Sequence, residues 1–558
     1  MLQQTQQRTY TITAALPYAN GPVHIGHLAG VYIPADIYAR YLRSQGHRVL
    51  FVSGSDEHGV PITLRAQHEG IQPQQLVDKY HNLNKQALYD LGISFDIFAQ
   101  TSAPLHHQTA SAFFTTLHQK DILKVRETEQ YYDLAHQQFL ADRYVYGTCP
   151  RCSYTAAYGD QCESCGATLS PEELLNPRSA LSGSAPVRKK TKHWYLPLDQ
   201  YEGWLKTWIL EAHKNWKPNV YKQCKAWLDQ GLQPRAITRD LSWGVSVPLP
   251  EAISKVLYVW FDAPIGYISA TQVWAAAHGQ DWEPFWKDPQ TKLIQFIGKD
   301  NTFFHCIVFP VILKAHGGFI LPENIPANEF LNLTGKKIST SRNYAIWLHE
   351  YLASFKGKQD VLRYVLCSNA PENKDSDFTW QDFQARNNHE LVATLGNFIN
   401  RTLVLVHKYF QGVVPARVTL TSLDQAVLTK IQQAPEQIGQ AIEQYKFKEA
   451  IQRWMDLARL GNKYLADTTP WHLIKSEQEQ VQTVLNIALQ LTANIAALGM
   501  PFLPFTGQQL SKILGISPSA WPRGANLDLL KPGQVIQQPT LLFKRIEDHA
   551  IERQLAFR

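Results

Sequence analysis

The chain is poor in cysteine, in charge imbalance and in long apolar runs, and each shortage closes off a class of protein. Seven cysteines in 558 residues are too few for a secreted disulfide scaffold, and four of them fall between Cys149 and Cys165. Cys224, Cys306 and Cys367 are scattered and read as small buried hydrophobes. No run approaches the ~18 consecutive apolar residues of a membrane helix. Met1 to Arg8 is polar, unlike a secretory leader. A cytoplasmic chain with no membrane partner is expected. Charged residues are 18% and hydrophobic residues 44%, ordinary globular proportions. A formal charge of +6 is compatible with a nucleic-acid partner and too small to require one. The length predicts roughly three to four domains, each able to bury a core.

What the chain does contain is an alternation of short apolar runs with amphipathic stretches. Tyr10 to Leu16, Val49 to Gly54 and Ile93 to Ala99 read as strands with helices between them. That order predicts a parallel sheet with right-handed crossovers, whose ligands sit beyond the carboxyl ends of its strands. From about Phe114 to Leu232 turns, cysteines and scattered aromatics take over, as in a domain inserted into the sheet. The sheet is expected to resume with Ser254 to Phe261 and Lys292 to Ile297. Helical periodicity dominates after Leu391, through Leu391 to Tyr409, Leu423 to Tyr445 and Val481 to Leu498.

Two stretches about three hundred residues apart carry chemistry. His24-Ile25-Gly26-His27 follows the first strand and a breaker-rich turn with Pro17, Asn20, Gly21 and Pro22, and a helix-compatible stretch succeeds it. A strand, a glycine turn and a helix start aim backbone N–H groups and the positive helix end at one point, where a phosphate fits. His24 and His27 are three apart and share a helix face, so both can bond phosphate oxygens. Gly26, with no Cβ, lets a flat ring approach the backbone. The second stretch, Lys337-Ile338-Ser339-Thr340-Ser341, is preceded by Lys336 and followed by Arg342, cations and hydroxyls suited to a polyphosphate.

The cysteine cluster is two Cys-x-x-Cys knuckles, Cys149/Cys152 and Cys162/Cys165, separated by nine residues. Four thiolates make the closed tetrahedral set of a structural zinc, which has no open position for water. A redox dithiol or unpaired core thiols are the alternatives.

Taken with their surroundings, these motifs resemble the signatures of class I aminoacyl-tRNA synthetases, and within them the methionyl group. The resemblance includes Ala15-Leu16-Pro17-Tyr18-Ala19-Asn20-Gly21, Ser55-Asp56-Glu57-His58-Gly59 and Arg239-Asp240-Leu241-Ser242-Trp243-Gly244. It continues through Tyr258 to Tyr267 and Phe296-Ile297-Gly298-Lys299-Asp300. A lone His-x-Gly-His is weak evidence, but six blocks in family order are specific.

The resemblance implies an α/β fold: a Rossmann-type parallel-sheet catalytic domain with a zinc-knuckle insertion, then an all-α helical-bundle anticodon-binding domain. It places the catalytic halves at 1–115 and 233–325, the insertion at 116–232, the lysine-loop connector at 326–388 and the helical domain at 389–558. It implies activation of methionine by ATP with magnesium, then transfer to tRNA(Met). By the same resemblance His24, Gly26, His27, Lys336, Lys337, Thr340, Arg342, Arg239, Lys299 and Asp300 serve the ATP side. Thr340 stands where the family usually has a second lysine, and Lys336 or Arg342 can return that charge. The loop is expected to close over ATP.

Asp56 matches the carboxylate that pairs with the substrate ammonium. Ala15, Leu16, Tyr18, Trp260, Ala263, Pro264, Tyr267 and His305 match the pocket for the thioether side chain. Asn397, Arg401 and Trp471 match anticodon readers, an edge-bonding pair and a stacking ring. Some relatives carry a second pair of knuckles, but the matching positions here hold Asp133, His136, Ser179 and Ser182. One zinc is therefore expected. Many relatives add a dimerising C-terminal module; here the sequence ends at Arg558, and a monomer is expected. The rival readings are a cysteinyl or leucyl synthetase and a non-catalytic tRNA-binding paralogue. A paralogue would be expected to lose His24, Asp56 or the loop lysine.

Overall fold

The computed structural model describes residues 7–556 except 141, 160–161, 166, 168, 341–342, 518–519 and 524–527. Its centre is a parallel sheet of β1 (Thr9–Ala14), β2 (Arg48–Ser55), β3 (Ile97–Gln100), β4 (Lys292–Gly298), β5 (Pro322–Asn324) and β6 (Ala327–Asn328). The order is β5-β4-β1-β2-β3, with β6 also paired to β4. Ile12 and Ala14 of β1 and Phe51 and Val52 of β2 are buried, the near-continuous apolar pattern of strands covered on both faces. β4 returns beside β1 after nearly two hundred intervening residues, which confirms an insertion into a divided sheet.

α1, over 25–44, leaves the end of β1 and includes one wide turn at Leu28–Tyr32. The third strand run expected from the sequence is shorter than read: Ile93 and Phe95 are core residues of a loop, and pairing starts at Ile97.

The expectation that Ser254 to Phe261 rejoins the sheet is wrong. Val256–Leu257 pairs antiparallel with Thr238–Arg239 in a two-stranded ladder, and Val259–His278 is a twenty-residue helix. From Phe261 to Thr271 every residue is buried, so no period marks that stretch, and a short apolar run reads equally as strand or buried helix.

The segment expected as one insertion has two parts. Residues 124–196 build antiparallel sheets, one of them completed by Arg235–Ala236 and the other the three-stranded sheet of Val145–Thr148, Ala157–Tyr158 and Leu175–Ser179 that carries the cysteines. Leu205, Ile209, Trp216, Val220, Cys224 and Leu228, from 198–230, instead join the main core. The cysteine module has a separate core that reaches the catalytic sheet through Val60 and Leu64 of α2 (Val60–Glu69).

After the connector come helices over 386–410, Ser422–Glu443, Phe447–Thr468, Gln478–Gly499 and Pro504–Leu514. Thr421 caps the second of these reciprocally with Asp424. Gln478–Gly499 is long and apolar enough to cross a bilayer by composition, but 94% of its most apolar window is buried. Its polar groups bond inside the bundle, as Asn486 Nδ2 does to the Pro415 carbonyl (2.7 Å).

A fully buried Arg363, in a helix spanning Gln359–Ser368, joins this bundle to the catalytic sheet. Its guanidinium donates to Asp36 Oδ2 of α1 (2.6 Å) and to the carbonyls of Pro501 (3.0 Å) and Phe502 (2.8 Å).

Candidate active site and metal centre

The turn after β1 and the start of α1 form one wall. His24 caps the helix: the Gly26 N–H donates to His24 Nδ1 (3.1 Å), and the His24 N–H donates to His27 Nδ1 (3.1 Å). Each Nδ1 accepts, so each ring carries its proton on Nε2 and has one N–H left to give. The rings stack 3.8 Å apart. Desolvation, reinforced by His27, holds His24 well below its ordinary pKa, and desolvation lowers His27 to about 4. Two neutral donors at neutral pH match an electrostatic role rather than that of a general base. Gly26 has a local reason to be glycine, since a Cβ there would lie 2.9 Å from the His24 ring.

The lysine loop meets this wall. Thr334 (φ +50°) and Gly335 (φ +75°) make a two-residue turn with both φ positive, which pairs Leu331–Leu333 with Lys336–Lys337. Lys336 and Lys337 are exposed, and Lys337 Nζ lies 4.8 Å from the Phe330 ring. Lys299 Nζ is 4.1 Å from the same ring and bonds Glu329 and Asp375, each at 2.8 Å. Thr340 packs on the bare backbone of Gly21, where a Cβ would come within 3.0 Å of its methyl. Downstream, the Ile25 N–H donates to the Ile346 carbonyl (3.1 Å) and the Leu348 N–H to that of Val23 (2.9 Å). The segment expected to close over ATP is thus held at Thr340 against the turn before the first signature and at 346–348 against the signature's start, while Lys336 and Lys337 stay exposed. Arg342 lies outside the described residues. Asp300 Oδ1 sits over Gly298, and Arg239 stacks 3.7 Å from the Tyr258 ring while donating to two backbone carbonyls.

A second group of side chains gathers where β1 and β2 end. The Asp56 N–H donates to the Pro17 carbonyl (2.9 Å) and the Ala19 N–H to that of Asp56 (2.8 Å), fastening the two strand ends together. Tyr18 Oη donates to the His58 carbonyl, and Gly59 (φ +105°) leaves room for that phenol. Asp56 is buried, and its Oδ1 has no hydrogen-bond partner. Burial and then Asp262 push its carboxyl well above the usual range, so it is a site that gains from a cation.

Beyond it Tyr267 Oη donates to His305 Nε2 (2.9 Å), a direction fixed because His305 Nδ1–H is spent on the Asn301 carbonyl (3.1 Å). Burial lowers His305 to about 4, so it stays neutral. Ala15, Ala263 and Pro264 are buried beside it and Leu16 partly so. Trp260 is 36% exposed and rests on Phe304.

The four cysteines converge. Cys149 and Cys165 Sγ are 3.9 Å apart, Cys152 and Cys162 Sγ 3.6 Å, and all four lie within 4.8 Å of one another. Tetrahedral zinc with Zn–S near 2.3 Å spaces its sulfurs by about 3.8 Å, so the donor set fits that ion. At the positions of a second knuckle, Asp133 Oδ2 accepts from Ser179 and Ser182 Oγ, and Oδ1 accepts from the N–H groups of Ala135 and His136. Hydrogen bonds occupy that corner.

In the helical part, the Arg401 guanidinium lies 4.8 Å from the Trp471 ring. Exposed Asn397 bonds Asn462 on the neighbouring helix.

Two family models match the chain: tRNA synthetases class I (M) over residues 10–403, and the anticodon binding domain of methionyl tRNA ligase over 414–556. A methionine–tRNA ligase of Cytophaga hutchinsonii is 62% identical over 98% of this chain and 80% of its own length. That of Parabacteroides distasonis is 60% identical over 98% and 80%. The chain belongs to the methionyl-tRNA synthetase family. A Mycobacterium tuberculosis methionyl-tRNA synthetase, solved with methionyl-adenylate, superposes with a TM-score of 0.80 over 97% of this chain and all of its own. At 23% identity it supports the synthetase fold alone.

Within this synthetase, one cluster beside Asp56 escaped sequence reasoning. Asp262 Oδ2 receives His58 Nδ1 (2.7 Å) and His106 Nε2 (3.2 Å), both rings buried. His58 and Asp262 each sit inside a quoted motif, yet 204 residues separate them. Nothing local could reveal the pair.

Proposed function

We propose that this methionine–tRNA ligase, an enzyme that forms methionyl-adenylate from methionine and ATP and passes the acyl group to tRNA(Met), works in the cleft beyond β1, β2 and β4. The substrate ammonium sits at Asp56 and the side chain among Leu16, Ala263, Pro264, Tyr267 and His305, with Ala15, Tyr18 and Trp260 at its edges. A methionine carboxylate oxygen bonds the α-phosphorus as the bond to pyrophosphate breaks. His24 and His27 then donate Nε2–H to the phosphoryl oxygens, and Lys336, Lys337 and Arg342 steady the pyrophosphate. Arg239, Lys299 and Asp300 hold the ribose and carboxylate side, and magnesium enters with ATP. A ribose hydroxyl of tRNA next attacks the carbonyl and AMP leaves. Asn397, Arg401 and Trp471 meet the anticodon, and a zinc at the four cysteines is structural. The enzyme acts in the cytoplasm as a monomer, which sedimentation checks.

The observation that carries the methionine assignment is the unpaired Asp56 oxygen, a buried acceptor beside a neutral, mostly apolar pocket. Asp56→Ala should weaken methionine binding by about 2–5 kcal/mol, the loss expected when one partner of a desolvated charge pair is removed. An unchanged methionine KM in ATP–pyrophosphate exchange would remove Asp56 from this role.

A further inference from the structure

Asp56 is followed two residues later by His58, and His58 is fastened to Asp262, in the first turn of the helix Val259–His278. Ser269 Oγ, whose hydroxyl donates to the Gly266 carbonyl (3.1 Å), lies 2.9 Å from His106 Nδ1, and His106 Nε2 lies 3.2 Å from Asp262 Oδ2. His107 Nε2–H serves His58 Nε2 (3.3 Å), which leaves His58 Nδ1–H for the same carboxylate oxygen. Asp262 Oδ1, like Asp56 Oδ1, is buried without a partner. Among the described residues neither carboxylate pairs with a lysine or arginine, and the two buried carboxyls repel one another. That arrangement is costly unless a cation arrives.

We propose that Asp262, gripped by His58 and His106, is a positioning residue for methionine: it holds the 56–59 turn so that Asp56 faces the substrate ammonium. Other bonds fasten the turn, among them Tyr18 Oη to the His58 carbonyl, Trp243 Nε1 to the Glu57 carbonyl (2.7 Å) and the Glu57 N–H to Thr101 Oγ1 (2.9 Å), but it is Asp262 that holds the His58 side chain against the helix Val259–His278. The metal alternative for His58, His106 and Asp262 is disfavoured because 2.7 Å is a charge-assisted hydrogen bond, shorter than the spacing of two ligands around one ion. The proposal rests on Asp56 receiving the ammonium.

The test uses the full chain and ATP–pyrophosphate exchange. Asp262→Asn and His58→Leu should each raise the methionine KM by about tenfold or more while the ATP KM stays put. His58→Asn, whose amide N–H stands in for Nδ1–H, should remain within about threefold of the parent. Asp56→Asn combined with Asp262→Asn should be no worse than Asp56→Asn alone, since one change acts through the other. If Asp262→Asn does not fold, the two His58 variants decide the matter.

A normal methionine KM in Asp262→Asn or His58→Leu overturns the proposal, as does a His58→Asn variant as damaged as His58→Leu. Multiplying losses in the double variant do the same. If Asp56→Asn itself leaves the methionine KM unchanged, the Asp56 reading falls and this one with it. If only Asp56→Asn has an effect, this one falls alone. A second metal ion per chain that disappears in Asp262→Asn would make the three side chains ligands and refute the positioning role.

Discussion

Replacing Arg363 with methionine should loosen the joint between the catalytic sheet and the helical bundle by an amount that can be worked out bond by bond. Asp36 would not be stranded. Its Oδ2 keeps Arg40 Nε (2.8 Å), and its Oδ1 keeps the N–H (2.7 Å) and hydroxyl (2.6 Å) of Ser94. The Gly92 carbonyl also keeps Arg40 Nη2 (2.7 Å). The carbonyls of Pro501 and Phe502 lose their guanidinium donors, at roughly 1–3 kcal/mol each for a buried acceptor left unmade. Methionine fills most of the volume, so no large cavity term is added. The expected loss is about 3–5 kcal/mol, within the range for breaking one side of a buried pair. Urea unfolding followed by circular dichroism gives the total, and hydrogen exchange in 501–514 locates it. A loss under about 1 kcal/mol would show that water or backbone movement satisfies those carbonyls and would refute the reasoning.

The partner supplies a pH check. Burial raises the Asp36 carboxyl, but Arg40, Arg363 and Ser94 outweigh it and bring it down to about 2. A depressed carboxylate stabilises the fold fully above its unfolded pKa near 3.9, and that stability is lost as pH falls towards 2. In Arg363→Met the acid transition should therefore begin at higher pH.

Other outcomes follow from the same geometry. Purified protein should contain one zinc per chain by metal analysis. Cys162→Ser should disorder the insertion and also raise the methionine KM modestly, because the module leans on Val60 and Leu64 of the helix that follows the Asp56 turn; an unaltered methionine KM in zinc-depleted protein would disconnect the two. A Lys336→Ala, Lys337→Ala, Arg342→Ala triple variant should lose adenylate formation mainly in kcat, by about tenfold or more, with methionine binding kept. Full pre-steady-state adenylation in that variant would leave the chemistry to His24, His27 and the backbone. Because His27 stays neutral down to about 4, the folded state resists a proton that an unfolded histidine accepts near 6.5. Stability from this group should therefore fall as pH drops from about 6.5 to 4, read as a falling urea midpoint across that window. Replacement of His27 by glutamine should remove that contribution.

The sequence was most legible where structure is local. The turn after β1, the helix start at His24 and the cysteine knuckles each follow from residues a few positions apart, and each appears where expected. The ends of β1 and β2, expected at Leu16 and Gly54 and found at Ala14 and Ser55, were legible to within two residues for the same reason: breakers and an apolar run fix them. The helix Val259–His278 was misread because burial on every side erases the period that separates helix from strand. The grip of His58 on Asp262 and the Arg363 joint were illegible for a different reason: partners 204 and 327 residues apart meet only once the divided sheet has closed. Thr340 looked like a missing charge. Its contact with Gly21 is a matter of shape that no charge count could show.

That contact makes positions 21 and 340 a single mechanical unit. A branched methyl seated on a residue with no side chain is a ball on a flat plate: it sets how near the lysine loop comes to the first signature, and little else. A longer chain at 340 would have to stand off the plate or swing aside, moving Lys337 with it. A side chain at 21 would push the loop away from the other direction. Changes at either position should alter the distance between the two halves of the phosphate grip, and a methyl added at 21 should be offset only by a smaller side chain at 340.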